Sequence, residues 1–217
     1  MQAKEQKKGD RTELLVEALR TAIILGELEP GQALRQEELA QNYSSSRMPV
    51  REALRTLSGE GLVQLIPNRG AIVAPINADE LQENTEMREV SELLALRLAV
   101  PHLSNAQIDE AAAIQDLIER SSIEKFGGLN KAFHAKLYEP CKRPRLLAHI
   151  TSLHDIAERY MHYTLSRLDY TEASSDEHRM LLDACYQRDV EAAQAILSNH
   201  ISKAGVVLGT HLRNLRG

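Results

Sequence analysis

Two sets of side chains in this 217-residue chain have types and spacings that could do chemistry. In the first, Arg47, Arg51 and Arg55 recur at every fourth residue of the run Ser46-Arg-Met-Pro-Val-Arg-Glu-Ala-Leu-Arg-Thr-Leu-Ser58. On a helix of 3.6 residues per turn they share one face, while Val50, Ala53, Leu54 and Leu57 gather on another. One face packs, and the other offers guanidinium groups to a polyanion, the pattern required to read base edges in a DNA major groove. A solvated charge stripe explains the arginines alone equally well. In the second set, Asn130 and His134 stand four apart, hence on one helix face, with His178 and His200 on later segments. Three imidazoles and one amide oxygen converging in a helical bundle could hold zinc, nickel, copper or iron with positions left open for a ligand. On spacing alone, three such distant histidines among eight are as readily unrelated packing groups.

The elements around the arginines narrow the first reading. Ser46 suits a helix N-cap, and Pro49 falls in the first turn, where its missing N–H costs nothing. Upstream, Gln36–Tyr43 predicts a shorter amphipathic helix packed through Leu39, Ala40 and Tyr43, with Ser44-Ser45 as the turn. Downstream, Gly61–Ile66 and Ala71–Ala74 are short β-prone runs joined by Pro67-Asn-Arg-Gly70. A helix-turn-helix followed by a hairpin wing is a DNA-binding arrangement. At the wing tip Arg69 could enter a minor groove or touch phosphate, and Gly70 would let the backbone approach closely.

The remainder predicts helices: one capped by Asp79 and reaching about His102, one from Ser104 to about Ser121, and one including Leu129–Tyr138. Others follow over Arg145 to about Ser166, Asp176–Arg188, and from the cap Asp189 to about Leu212. The expected fold class is mainly α, an N-terminal winged helix-turn-helix followed by an all-α antiparallel helical bundle. Residues 1–10 are expected as a mobile tail, 11–76 as the DNA-binding domain and 77–217 as an effector-binding and dimerisation domain. Through Ile76, ten Lys/Arg balance ten Asp/Glu, so the later part, sixteen against twenty-one, holds the whole net charge of −5. DNA affinity must therefore come from placed arginines and helix N-termini, with the acidic half facing away from DNA. The polar start lacks a signal-peptide core and no run spans a membrane, so a cytoplasmic protein without a membrane partner is expected. Cys141 and Cys185 fit no metal or redox spacing and read as reduced packing residues.

The segments Leu28-Glu-Pro-Gly31, Glu38-Leu-Ala40, Ser46–Leu54, Gly61-Leu-Val63 and Pro67-Asn-Arg-Gly70 resemble the winged helix of GntR-type bacterial transcription regulators, over roughly residues 11–76. Met87–Glu92, Asn130-Lys-Ala-Phe-His134, Glu177-His178 with Asp189, and His200 are similar to the helical, FCD-type effector domain of the FadR-like branch. That resemblance implies a divalent metal held by Asn130, His134, His178 and His200, zinc first, with nickel, manganese or iron as others. The branch more often has Asp at the first position; Asn130 keeps an oxygen ligand but removes a charge, which would hold the metal more weakly. Arg88 and Glu92 match positions that face the effector cavity, where a guanidinium could grip a carboxylate bidentately. Their bland alternative is an ordinary i,i+4 surface ion pair.

The resemblance thus implies a homodimer that reads a short inverted repeat in double-stranded DNA and responds to a small organic acid. Arg47 and Arg51 are expected on base edges, and Ser46, Arg55 and Arg69 on phosphate or groove. Two alternatives stand beside it: a regulator whose bundle takes an apolar or acyl effector without metal, and a metal-dependent hydrolase. The second lacks the His-Glu-x-x-His arrangement. His102, His149, His154, His162 and His211 read as surface or packing residues, and Tyr138, Arg159 and Tyr163 are set aside.

Overall fold

The computed structural model describes residues 2–67, 70–164 and 171–214, which form two compact units, Met1–Ile76 and Asn77–Gly217. In the first, α1 (Gln2–Ile24) precedes α2 (Gln36–Asn42) and α3 (Arg47–Gly59). Leu15, Leu19, Ala22 and Ile23 recur at helical spacing along α1 and are buried, and α1 lies against α3. Residues 2–10, expected as a tail, are helical instead; Gln2-Ala-Lys-Glu-Gln-Lys-Lys8 is built of strong helix formers. Arg20 of α1 holds Glu60, the C-cap of α3, through Nη2 at 2.7 and 2.9 Å and Nε at 3.1 Å. Between α2 and α3 the chain turns at Ser44, whose φ of 47° is left-handed.

The wing is a three-stranded antiparallel sheet in the order β1-β3-β2, made of β1 (Ala33–Leu34), β2 (Val63–Ile66) and β3 (Gly70–Val73). Val63 pairs with Val73 and Ile66 with Gly70. The edge strand β1 carries no sequence signal, because two residues show no alternation. Gly70 opens β3 at φ +95°, a conformation that only glycine adopts without strain.

The second unit is helical: α4 (Ala78–Ala99), α5 (Asn105–Arg120), α6 (Ile123–Tyr138), α7 (Pro144–Thr164), α8 (Thr171–Gln187) and α9 (Val190–Asn214), with 3-10 turns after α4 and α6. The expected mainly-α class, winged helix-turn-helix before helical bundle, is what the chain adopts. Helix α4 lies against α9, α7 and α6, while α5 lies against α6 and α8. The unit's core includes Leu96, Ile108, Phe133, Leu137, Leu181 and Leu197. Each such side chain contributes roughly 1.5–3 kcal/mol on leaving water. At Gly205 a Cβ would meet Thr85 at 2.6 Å, so this glycine sets the close approach of α9 to α4.

The helix starts follow capping chemistry, with two changes. Asn77, not Asp79, caps α4, its side chain accepting from the Asp79 N–H at 3.0 Å. Ser46 occupies the N-cap position of α3 but makes no capping hydrogen bond. Ser104 and Gln107 form a capping box on α5, and Asp189 accepts from the Ala192 N–H at the start of α9. The Tyr160 hydroxyl of α7 pins the start of α4: it accepts from the Asn77 N–H at 3.1 Å and can donate to the Asn77 carbonyl at 2.9 Å or the Glu80 carboxylate at 2.8 Å.

Candidate functional site

On α3, Pro49, Val50, Ala53, Leu54 and Leu57 are buried, and this apolar face fixes the helix on the first unit's core. The opposite face leaves Ser46, Arg47, Arg51 and Arg55 exposed. Among the described residues Arg51 and Arg55 form no ion pair. Arg47 Nη2 sits 2.9 Å from Glu37 Oε1 of α2, but with about two-thirds of each side chain exposed the pair is weak and easily opened. Met48, which the sequence reading passed over, is also exposed on this face, at 48%. Arg69 lies outside the described residues, and Gly70 is exposed at the start of β3.

In the helical unit, Asn130 and His134 come from α6, His178 from the second turn of α8 and His200 from the middle of α9. All four are buried, and ligand atoms of the three histidines lie within 4.8 Å of one another. Their ring centroids are 4.8 to 5.3 Å apart. Each ring is oriented through Nδ1: His134 by the Tyr138 hydroxyl at 3.2 Å, His178 by the Gln115 carbonyl oxygen at 2.7 Å, His200 by Glu177 Oε2 at 2.8 Å. Meanwhile His134 Nε2, His178 Nε2 and Asn130 Oδ1 are buried with no hydrogen-bond partner.

A buried polar atom without a partner costs on the order of 1–3 kcal/mol. Several in one cluster, on rings held through the other nitrogen, fit a divalent metal, since ligating histidines are generally oriented in that way. Burial, and then the neighbouring imidazoles, push His134 and His178 well below the usual histidine range. Their lone pairs are therefore free at neutral pH. Hydrogen bonding from His200, and beyond it Lys203, hold Glu177 below its usual range as an ionised orienting group, with Lys203 Nζ at 2.7 Å.

Arg88 and Glu92 of α4 are not a surface pair. Arg88 is 6% exposed and Glu92 fully buried, and Arg88 Nε donates to Glu92 Oε1 at 2.7 Å. Glu92 Oε2 accepts from the Tyr138 hydroxyl at 2.8 Å and lies 3.0 Å from His154 Nε2. Burial alone would raise Glu92, but Arg88 and His154 hold it well below the usual carboxylate range. Burial and the adjacent carboxylate raise Tyr138, which stays a phenol.

His154, taken from the sequence as surface or packing, is thus a buried member of this polar network, and Tyr138 joins the network to the histidine cluster. Their spacing carries no signal, because both act on Glu92 from other helices. Gln115 and Glu177 were also missed as orienting groups; only Glu177, adjacent to His178, had a positional hint. His102, His149 and His162 are exposed and His211 is half-buried, while Tyr163 is exposed and Arg159 buried. Cys141 and Cys185 are free and buried, and burial pushes the Cys185 thiol up to about 12. Among the described residues no helix is long and apolar enough to cross a membrane.

Two families match this chain: the bacterial regulatory proteins of the gntR family over residues 11–73, and the FCD domain over residues 83–203. The HTH-type transcriptional repressor RspR of Escherichia coli (strain K12) is 25% identical over 189 residues, 85% of this chain and 83% of that protein. A transcriptional regulator of the GntR family from Pseudomonas syringae pv. tomato str. DC3000, known as a crystal structure, is 31% identical, covers 97% of each chain and superposes with a TM-score of 0.61. The E. coli McbR/YncC structure, 23% identical over 91% of this chain and 96% of its own, has a TM-score of 0.78 and shows the shared fold.

Proposed function

We propose, from the premise that the chain belongs to the bacterial regulatory proteins of the gntR family and carries an FCD domain, that a small organic acid bound in the helical unit sets its affinity for DNA. The chain is a DNA-binding transcription regulator and not an enzyme, which sets the hydrolase alternative aside.

In this reading a divalent metal, zinc first, with nickel, manganese or iron as others, is held by His134, His178, His200 and Asn130, and supplies an electrophilic centre for an anionic oxygen. Arg88 supplies the guanidinium that grips the same carboxylate, and Glu92 fixes where that guanidinium sits. Gln115, Glu177 and Tyr138 keep the three rings in register. The single observation carrying the proposal is the set of unpartnered, buried ligand atoms on rings already oriented through Nδ1.

Arg47 and Arg51 are assigned to guanine edges in the major groove, and Ser46, Arg55, Arg69 and the Gly70 backbone to phosphate or groove. Met48, exposed beside Arg47, suits a thymine methyl. The regulator acts in the cytoplasm as a homodimer on a short inverted repeat, since a two-fold protein reads a two-fold site. The acid shifts the DNA-binding equilibrium only by its difference in affinity for the two states.

The test is the metal content of protein purified without chelators or a histidine tag, beside His178→Ala. About one divalent ion per chain, lost in the variant, is the expected result. No ion in either protein after reconstitution with zinc, nickel or manganese salts would remove the metal from the proposal and leave Arg88 and the apolar bundle as the ligand's only hold.

A further inference from the structure

The hydrogens of the histidine cluster are placed by groups outside it. The Tyr138 hydroxyl has one proton and two polar neighbours, Glu92 Oε2 at 2.8 Å and His134 Nδ1 at 3.2 Å. Glu92 is paired with Arg88 and ionised, so it can only accept, and the phenol proton goes to it. Tyr138 therefore turns a lone pair towards His134, and that contact is a hydrogen bond only if His134 Nδ1 carries a hydrogen.

His178 is fixed by the same logic between α5 and α8. The Gln115 amide donates through Nε2 to Glu119 Oε1 at 3.0 Å, which leaves its carbonyl oxygen 2.7 Å from His178 Nδ1. An acceptor at that distance requires a hydrogen on Nδ1. Glu119 is exposed, and Arg179, the residue after His178, grips its two oxygens with Nε and Nη2, both at 2.9 Å. Arg179, and then Gln115, hold Glu119 below the usual carboxylate range. His200 has the shortest version of this arrangement, with Nδ1 directly on Glu177 at 2.8 Å.

The consequence falls on the opposite nitrogens. Neutral imidazoles with centroids about 5 Å apart could otherwise satisfy one another, an Nε2–H of one ring donating to the bare Nε2 of the next. With the hydrogen on Nδ1 they cannot, and His134 Nε2 and His178 Nε2 are both buried without a partner. We infer that Glu92 and Glu119, neither of them in the cluster, are positioning residues that act through Tyr138 and Gln115 to lock His134 and His178 in the Nδ1–H tautomer and keep both Nε2 lone pairs for a cation. The purpose of the lock rests on the metal proposed above, but the tautomers need no ion.

Full-length protein stripped of metal and labelled with nitrogen isotope in the histidine rings would be recorded by long-range proton–nitrogen NMR at neutral pH, which reads each tautomer, and then titrated with zinc against a competing chelator. In the wild type, His134 and His178 should be protonated at Nδ1 and bare at Nε2. Tyr138→Phe should move His134 off that tautomer and weaken zinc binding by about ten- to a hundredfold. Tyr138 is buried, so the exposed Glu119 gives a second arm that spares the core. Glu119→Ala should leave His178 a mixture of tautomers and weaken zinc binding by about tenfold, while Glu119→Gln, which keeps an acceptor for the Gln115 amide, should restore both. An Nε2–H on either ring in the wild type, or an unchanged His178 tautomer in Glu119→Ala, overturns the inference. Locked tautomers in a protein that binds no zinc would uphold the lock and remove only the metal.

Discussion

The two units carry their chemistry in opposite ways. On α3 the arginines stand exposed, and among the described residues only Arg47 has an ion-pair partner, a weak one. In the helical unit, the cluster from Arg88 to His200 is buried, and its rings and Glu92 are oriented by hydrogen bonds while His134 Nε2, His178 Nε2 and Asn130 Oδ1 are left without partners. A face that meets a large, charged, water-covered partner needs correct spacing on one rigid helix and little else. A site that meets a small molecule must be organised beforehand, because burial makes every unpaired group costly. Mutations on the first face should change recognition with the fold intact, and mutations in the second should disturb folding before recognition.

The largest contrast comes from Arg51→Ala. With about 1–3 kcal/mol lost at each half-site, specific operator binding should disappear in a gel shift while thermal unfolding stays unchanged. Wild-type affinity would discard the assignment. Glu92→Ala should do the reverse, leaving Arg88 buried without its carboxylate and lowering stability by roughly 3–5 kcal/mol in urea unfolding. The paired replacement Arg88→Met with Glu92→Leu should recover most of that loss without restoring any response to carboxylates. If the single variant unfolds like the wild type, the pair is not the organised element described above.

Acidity should separate the units next. All eight histidines lie after residue 76. His134 and His178 are depressed in the fold, so they are neutral there while the unfolded chain takes up protons below its ordinary value of 6.5. Their contribution is full above that pH and is lost as the pH falls below it, by up to roughly 1.4 kcal/mol per pH unit for each ring. Metal-free protein compared at pH 7.5 and 5.5 should therefore lose stability in the helical unit, with the winged-helix unit unaffected. Equal losses in both units would contradict the assignment. Glu92, depressed from 4.5, adds a second loss only at lower pH. The smallest effect is expected from Glu37→Gln, which frees Arg47 at a cost or gain below about 1 kcal/mol in operator binding. A larger change would mean that Glu37 itself reads a base.

The same contrast explains what the sequence made legible. The arginine stripe, the turn and the wing lie within one stretch of chain, so their periods and turn residues could be read directly. Asn130 and His134 were visible as a pair because a single helix sets their spacing. Gln115, Glu177 and His154 were not, since each meets its partner from a different helix. The Arg88 to Glu92 spacing is the same for a surface pair and a buried one, and only packing decides between them. Strand β1 was too short to show a period, and the N-terminal run was read as tail because helix formers without apolar spacing resemble a disordered segment.

Helix α7 carries two of these contacts at once. His154 touches Glu92, and Tyr160, six residues further, grips the first residues of α4. On a helix that separation is about 9 Å of rigid rod. Helix α7 therefore holds α4 at two points, at Glu92 and at the Asn77 and Glu80 end where α4 begins, so a substitution at either His154 or Tyr160 removes one of the two ties and leaves the other.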